Sequence, residues 1–188
     1  TTMKVSINEI NWNHKPKTKS DISQVAQNFK TIDSDVTDIY NRLINGQTFC
    51  PAIFQENKRK NANFISQQIF ALDFDEGHSP EEIIQNLTEH NIQTNFMYFS
   101  FSHKPEHPKF RIVIVLDEII ANKKTRDLIQ VGLMNIVKFA DKGCKDAARM
   151  FYGGKSGELI NTEPNKYVDI IGIIDSYINA SVSKPTQS

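Results

Sequence analysis

The alternation of apolar and polar residues divides this chain into short strands and helices that follow one another in mixed order. Apolar runs rich in Ile, Val and Phe predict strands, which lie at residues 3–10, 48–54, 69–74, 94–101, 110–116, 150–152 and 167–170. Helical spacing and capping residues predict helices, which lie at residues 21–29, 34–44, 79–90, 123–139 and 173–178. This interleaving predicts an α+β or α/β sheet domain.

Several element boundaries carry their own signals. Ser79–Glu82 combines a serine N-cap, a proline at the first helical position and a glutamate at the third, which is typical of a helix start. Asp21 and Ser34 are the expected N-caps of the two preceding helices, and Gly46 lies where a C-cap glycine belongs. Pro51 is expected to break the strand at 48–54.

The apolar run at residues 69–72 ends in two aspartates one residue apart, Asp73 and Asp75. Alternate residues of a strand point to the same face with Cα atoms about 6.6 Å apart, whereas Phe74 points the other way into a core. Two carboxylates this close repel each other, and one takes up a proton unless a cation lies between them. Oxygen ligands suit Mg²⁺ or Mn²⁺, which usually serve phosphate chemistry. The pair suggests a phosphoryl-transfer enzyme, although a strand that runs into a polar turn also produces this pattern.

Composition limits the possible classes of protein. The 188 residues are expected to form one domain, and 22 basic residues balance 22 acidic ones, so net charge does not favour a nucleic-acid partner. The basic residues nevertheless cluster in three runs, at 58–60, 103–111 and 142–155. The two cysteines have neither metal-ligand nor disulfide spacing. No apolar stretch approaches about 18 residues, and we therefore expect a cytoplasmic protein without a membrane partner.

Three motifs follow one another along the chain, namely Leu72–Asp75, Ser100–His103 and the stretch from Asp141 to Gly154. In this order they resemble the archaeo-eukaryotic primase (primase-polymerase) superfamily and, within it, the catalytic domains of replication proteins from plasmids, phages and mobile islands. The stretch Gln47–Ala52 is similar to the same subgroup. The resemblance covers about residues 46 to 155 and depends on the order and spacing of the motifs.

The resemblance implies an archaeo-eukaryotic primase fold of the α+β class, with an N-terminal α/β unit packed on an RNA-recognition-motif-like sheet. The active site would lie in the cleft between them. Asp73 and Asp75, with a third carboxylate, would be the catalytic residues that hold two divalent ions, Mg²⁺ or Mn²⁺, as in two-metal sites. Ser102 and His103 would bind the triphosphate of the incoming nucleotide, with His103 as a hydrogen-bond donor.

The identity of the third carboxylate is open among three aspartates. Asp141 best matches the subgroup's pattern and is the preferred catalytic residue and metal ligand. Asp117 directly follows the strand at 110–116 and has the better strand-end position. Asp146 lies in the same stretch as Asp141 and is the third alternative.

Basic residues near the motifs are candidate phosphate contacts. Arg111 and Arg149 can bind phosphate oxygens through two N–H groups, and Gly153-Gly154 would let the backbone near Arg149 approach a ligand closely. Charge alone suggests residues that steer a template strand, namely Lys58, Arg59, Lys60 and Lys155. His107 is interpreted as a solvated loop histidine.

The predicted function is that of a DNA primase-polymerase. It would transfer nucleotides from ribo- or deoxyribonucleoside triphosphates to a strand templated by single-stranded DNA, during replication of a plasmid, phage or mobile element. A non-catalytic nucleic-acid-binding module of the same fold and a metal-dependent nuclease are alternatives. A haloacid-dehalogenase-type phosphatase also places Asp-x-Asp after a strand, with the first aspartate as nucleophile. In this chain, however, that motif is central and Gly77 occupies the place of a Thr or Val.

The expected catalytic domain spans residues 1–178, with residues 1–2 as a cloning remnant before a native Met3. Residues 179–188 are polar and contain a proline, and they are expected to form a linker or tail. The resemblance to this subgroup also implies a helicase domain or subunit as a further partner.

Overall fold

Strands and helices are interleaved along the chain, as the sequence predicts, although the strand expected at 150–152 is reduced to an isolated bridge between Phe151 and Phe49. The structure is a computed structural model that describes residues 1–166 together with Gly172 and Asp175. Its strands are β1 (Met3–Asn8), β2 (Lys30–Ser34), β3 (Thr48–Cys50), β4 (Ala52–Phe54), β5 (Phe64–Phe74), β6 (Phe96–Ser100), β7 (Phe110–Ile120) and β8 (Gly154–Leu159). Its helices are α1 (Lys19–Gln27), α2 (Val36–Ile44), α3 (Pro80–Glu89) and α4 (Lys123–Ile136). The strand expected at 167–170, the tail at 179–188 and, apart from Asp175, the helix expected at 173–178 lie outside the described residues.

The strands form two antiparallel sheets. The smaller has the order β2-β1-β3 and the larger the order β4-β5-β7-β6-β8. The break predicted at Pro51 is confirmed, because the chain leaves the smaller sheet there and enters the larger one. The sequence does not predict β2 and β8, which lie at sheet edges and alternate exposed polar residues with partly buried ones.

The two longest strands, β5 and β7, are apolar along most of their length because both faces of the larger sheet are covered. Ala71 belongs to the core that β1 and α2 share with the sheet. Leu72 and Phe74 belong to a second core on the opposite face, which α3 and α4 cover. Phe74 stacks on Phe110 with ring centroids 5.2 Å apart, so its predicted entry into a core is confirmed. Asp73 is therefore on the face that carries β1 and α2.

Side-chain caps set where the helices begin, and the first two differ from the prediction. Thr18 rather than Asp21 caps α1, because the Thr18 hydroxyl accepts the Asp21 N–H at 3.0 Å. Asp35 rather than Ser34 caps α2, because Ser34 is the last residue of β2. The predicted cap of α3 by Ser79 is confirmed. No helix in the described part of the chain is long and apolar enough to cross a membrane.

Gly46 ends α2 in the left-handed region, with a φ of 96°. The N–H groups of Gly46 and Gln47 donate to the carbonyls of Leu43 and Arg42 at 3.1 and 3.0 Å, which satisfies the end of the helix as in a Schellman motif. A Cβ on Gly46 would overlap the carbonyl oxygen of Trp12. This glycine therefore lets the segment that follows β1 pack against the end of α2.

We expect Gly46→Ala to lower the free energy of unfolding by about 2 to 4 kcal/mol, because it combines a disfavoured φ with an overlap against fixed backbone. The matched control is Gly77→Ala, which also has a positive φ of 88° but whose nearest neighbour is the exposed His107 side chain, at 3.2 Å, and not fixed backbone. That variant should lose only about 1 to 2 kcal/mol. Urea unfolding measures both values, and equal losses would contradict the close packing of Trp12 on Gly46.

Candidate active site

Asp73 is the penultimate residue of β5, and two arginines from different elements contact its carboxylate. Oδ1 lies 3.2 Å from Nε of Arg111, which is opposite Asp73 on β7. Oδ2 accepts a hydrogen bond from Nη2 of Arg149 at 3.0 Å. Asp73 and Arg111 are only 8% and 9% exposed. Removing one member of so buried an ion pair is strongly destabilising, because the remaining charge has no compensation.

Arg111 is held in place from two further directions. Its Nη1 donates to the carbonyl oxygen of Tyr152 at 2.6 Å, and its guanidinium lies 5.6 Å from the ring centroid of Tyr98. Burial raises the pKa of Tyr98 to about 12, so its hydroxyl remains protonated near neutral pH. That hydroxyl donates to the same Tyr152 carbonyl at 3.0 Å. The guanidinium is thus fixed beside Asp73.

The segment from Asp141 to Arg149 is held against Asp73 through its backbone and its side chains. The Asp141 N–H donates to the Asp73 carbonyl at 2.8 Å. The Asp73 N–H donates to Sγ of Cys144 at 3.3 Å. Nη2 of Arg149 joins the two carboxylates, at 3.0 Å from Asp73 and 3.1 Å from Asp141. The structure therefore brings the predicted site residues Asp141 and Arg149 against Asp73, which lies far from them in sequence.

A glycine that the sequence analysis did not single out makes room for Arg149. A Cβ on Gly143 would overlap Nη1 of Arg149. Gly153 instead lies against the backbone of residues 43–47, and Gly154 against the carbonyl of Phe99. The expectation that Gly153-Gly154 opens space for a ligand beside Arg149 is corrected, because both glycines serve close packing of the backbone.

Asp73 and Asp75 line one small cavity of about 100 Å³ at the end of β5. Its other lining residues come from three separate parts of the chain, and they are Lys15, Ser100, Phe101, Ser102, Lys109, Arg111 and Tyr152. The Asp75 side chain is exposed, in contrast to that of Asp73. Four of the predicted site residues, namely Asp73, Asp75, Ser102 and Arg111, therefore line one cavity, and Arg149 is not among its lining residues.

His103 lies beside that cavity, in a larger one of about 520 Å³ that it lines together with Lys155. Its ring stacks on Phe99 at a centroid distance of 4.0 Å. Its Nδ1 lies 3.1 Å from the backbone N–H of Lys109, which can only donate. Nδ1 is therefore the acceptor, and the neutral ring carries its proton on Nε2. This tautomer leaves His103 able to donate a hydrogen bond to an anion, as the resemblance implies.

His107 has a defined contact that the sequence analysis did not anticipate. Its Nε2 lies 2.8 Å from the carbonyl oxygen of Asp75, which can only accept. His107 and His103 belong to the same loop between β6 and β7. The loop that positions His103 is consequently tied to the turn that carries Asp75. His107 is an exposed loop histidine, as the sequence analysis interprets it, and this hydrogen bond is an additional role.

The fold also distinguishes between the three aspartates that are candidates for the third carboxylate. Because β7 runs antiparallel to β5 and continues to Ile120, Asp117 lies towards the opposite end of the sheet from Asp73. Six residues of β7 separate it from Arg111, or about 20 Å. This distance excludes Asp117 as a ligand of an ion held by Asp73. Asp146 accepts the N–H of Ala148 within its own turn, so Asp141 is the candidate in contact with the site.

Two observations bear on metal binding. Among the described residues, no group of three or more Asp, Glu, His or Cys side chains is arranged to hold a metal ion. Asp141 is also not among the residues that line the cavity of Asp73 and Asp75, and its oxygens accept from Gly143 N–H at 3.0 Å and from Arg149 at 3.1 Å. The geometry thus presents two carboxylates to the cavity, and Asp141 is connected to them through Arg149.

The basic residues suggested for template binding fall into two places. Lys155 lines the larger cavity. Arg59 packs its guanidinium 5.3 Å from the ring centroid of Phe29 and donates to the carbonyl of Ala148, while Lys58 pairs with Glu56 at 3.0 Å. Lys60 is exposed beside them. Lys58, Arg59 and Lys60 line neither cavity, and their role in binding DNA stays a prediction.

Lys15 and Lys109 line the cavity of the aspartates, but the sequence analysis did not select them as site residues. Lys109 lies in the basic run between the motifs, which was a usable signal. Lys15 lies in the segment between β1 and α1, 58 positions before Asp73, and nothing in its local sequence distinguishes it from a solvated lysine. Only the packing of the N-terminal unit on the larger sheet brings it to the site.

Comparisons with known proteins identify the family of this chain and support its fold. A family profile for the VapE N-terminal domain matches residues 6–177. The chain belongs to the VapE N-terminal domain family. A comparison with curated proteins returned no match.

Among solved structures, this VapE N-terminal domain is similar to the AEP domain of the primase-polymerase (PrimPol) of cyanophage S-2L. The TM-score is 0.53 at 11% sequence identity, over 93% of this chain and 88% of that chain. A match at this identity shows the fold, and it confirms the predicted archaeo-eukaryotic primase fold of the α+β class. The predicted resemblance to primase-polymerase-type replication proteins is confirmed as well.

We expect Arg149→Met to raise the pKa of Asp141 in the metal-free VapE N-terminal domain. The Gly143 N–H and, next, Arg149 hold that pKa below its usual value of 3.8. A folded-state pKa below the unfolded one stabilises the protein at neutral pH, and this contribution is lost as the pH falls through the folded value. NMR titration of the carboxyl carbon measures the shift. Lys142→Met, which removes a neighbouring charge without a contact to Asp141, is the control and should change little.

We expect His107→Ala to loosen the turn at residues 75–78, because it removes the hydrogen bond to the Asp75 carbonyl. Backbone ¹⁵N order parameters there should fall from about 0.85 towards 0.6. His107→Gln is the matched control, since its amide can donate from a similar position and should preserve the turn. Nε2–H donates in both the neutral and the charged imidazole, so the wild-type turn should keep its order between pH 5 and pH 8. Unchanged order in His107→Ala would contradict the tie between loop and turn.

Proposed function

We propose that this VapE N-terminal domain is the catalytic domain of a DNA primase-polymerase. It would transfer nucleotides from nucleoside triphosphates to a strand templated by single-stranded DNA, with Mg²⁺ or Mn²⁺, during replication of a phage, plasmid or mobile element. The observation that carries the proposal is the shared cavity of Asp73 and Asp75 with the Ser100–Ser102 segment, beside the cavity of His103. Family membership and the fold support a replication role.

The residues at the end of β5 fit divalent ions. A carboxylate has about four lone-pair sites, so Asp73 can accept from Arg111 and Arg149 and still bind a cation. Asp75 is exposed and free to contribute. Bound Mg²⁺ or Mn²⁺ would activate the primer hydroxyl and stabilise charge on the leaving pyrophosphate. Asp141 would act on this site by orienting Arg149, and it would become a direct ligand only after a side-chain movement.

The protein's own groups would position the nucleotide. His103 donates from Nε2 towards the triphosphate, and Ser102 adds a hydroxyl at the boundary of the two cavities. Lys109 and Arg111 place positive charge beside the two aspartates. The larger cavity, at about 520 Å³, is within the usual range for a small-molecule site, whereas the cavity at Asp73 is too small for a nucleotide. The nucleotide would therefore extend across both.

We expect Asp75→Asn to reduce manganese-dependent primer extension by about 100-fold or more, because metal-assisted charge stabilisation is worth several kcal/mol. Glu76→Gln is the matched control, since Glu76 is the exposed neighbour of Asp75 and does not line the cavity. Asp75 is preferred to Asp73 for this test because it is outside the buried ion pairs, so the variant should fold normally. Extension by Asp75→Asn at the wild-type rate would contradict the metal assignment.

A non-catalytic nucleic-acid-binding module is the second candidate, and one observation favours it. Both oxygens of Asp73 are already engaged by arginines, and the described residues contain no three-ligand metal group. Such a module would bind single-stranded DNA but incorporate no nucleotide. A metal-dependent nuclease would instead shorten the primer strand in the same assay. The phosphatase alternative conflicts with the primase fold, and Asp73, bound to two arginines, is poorly placed as a free nucleophile.

A further inference from the structure

The segment between β1 and α1 reaches the site from the N-terminal unit, and it is fixed at both ends. The backbone N–H of Trp12 donates to the carbonyl of Gly46 at 3.3 Å, and the Trp12 backbone packs on that glycine. Pro16 is buried, and Thr18 caps α1. Lys15 lies between these anchors, so the position of its backbone is determined by the N-terminal unit.

Lys15 is unusual among the basic residues of the site because it lines both cavities. It is exposed, and it has no ion-pair partner in the described part of the chain. Its ammonium group is therefore free to bind an anion at the boundary of the two cavities. The same boundary is lined by the Ser100–Ser102 segment.

The charges around this boundary favour a polyanion. The smaller cavity has three cationic side chains, Lys15, Lys109 and Arg111, against the two aspartates. The larger cavity has Lys15, Lys17 and Lys155 and no acidic residue. A cavity lined by one sign of charge concentrates ligands of the opposite sign. An anion that spans both cavities would meet Lys15 at its centre.

We propose that Lys15 binds the triphosphate tail of the incoming nucleotide. This inference rests on the proposed function, because it assumes that divalent ions at Asp73 and Asp75 hold one end of the same tail. Lys15 is next to those aspartates, whereas Lys17 and Lys155 line only the larger cavity. The position beside the metal-binding carboxylates favours a triphosphate over a DNA backbone, which would extend along the outer lysines. The N-terminal unit thus contributes directly to substrate binding.

Calorimetry with dATP and Mn²⁺, and separately with inorganic tripolyphosphate and Mn²⁺, tests the proposal. Lys15→Met should weaken binding of both by about tenfold or more, since a charge-assisted contact is lost. Lys15→Arg should retain most of the affinity. Lys19→Met is the matched control, because Lys19 is an exposed lysine that begins α1 and lines neither cavity. Thermal unfolding of each variant checks that the fold is unchanged.

The outcomes separate this inference from the proposed function. If the wild type binds dATP and Lys15→Met binds it with the same affinity as Lys19→Met, the inference about Lys15 is overturned and the proposed function is not. If Lys15→Met weakens binding of a single-stranded oligodeoxynucleotide more than that of dATP, the lysine is a strand contact and the triphosphate assignment is wrong. If the wild type binds neither dATP nor tripolyphosphate, both proposals fail. If binding depends on Lys15 but primer extension is absent, only the polymerase function fails.

Discussion

The candidate site depends on Asp73, whose polar groups are almost all engaged by the segment from Asp141 to Arg149. Its carbonyl accepts from Asp141, its N–H donates to Cys144, and its carboxylate binds Arg149. The remaining oxygen faces Arg111 across the β5–β7 pair. Because this carboxylate is nearly buried, its negative charge requires those arginines, and the arginines in turn require a nearby anion. One buried charge therefore fixes how a late segment of the chain docks on the central strand.

A second set of contacts links the acidic turn to the loop between β6 and β7. His103 accepts a hydrogen bond from the Lys109 N–H, and His107 is hydrogen-bonded to the Asp75 carbonyl. One loop therefore positions the His103 imidazole and restrains the turn of the exposed aspartate. Asp73 is rigid and Asp75 is held mainly through its backbone. One carboxylate of the pair is thus preorganised and the other can adjust, which suits the proposed binding of a cation.

The two-sheet organisation explains why the N-terminal unit contributes to the site. Pro51 directs the chain from the smaller sheet into the larger one, and Gly46 allows the Trp12 backbone to pack closely on α2. These two features place the segment before α1, and Lys15 with it, over the ends of β5 and β6. The site is therefore assembled by the packing of the N-terminal unit on the larger sheet. Its basic residues come from both of these parts of the fold.

The sequence by itself determined the features that depend on interactions between residues close together in the chain. Capping and backbone freedom predicted the helix start at Ser79, the helix end at Gly46 and the strand break at Pro51. Strand alternation predicted that Asp73 and Phe74 point to opposite faces. The order of the motifs was sufficient to suggest the primase fold. The exposed edge strands β2 and β8 escaped prediction because they lack an apolar run. Tertiary structure alone decided that Asp141 rather than Asp117 contacts Asp73, that Lys15 reaches the cavity and that His107 has a partner. Those outcomes depend on strand direction and on packing between distant segments, and neither of these changes the local sequence pattern around the three residues.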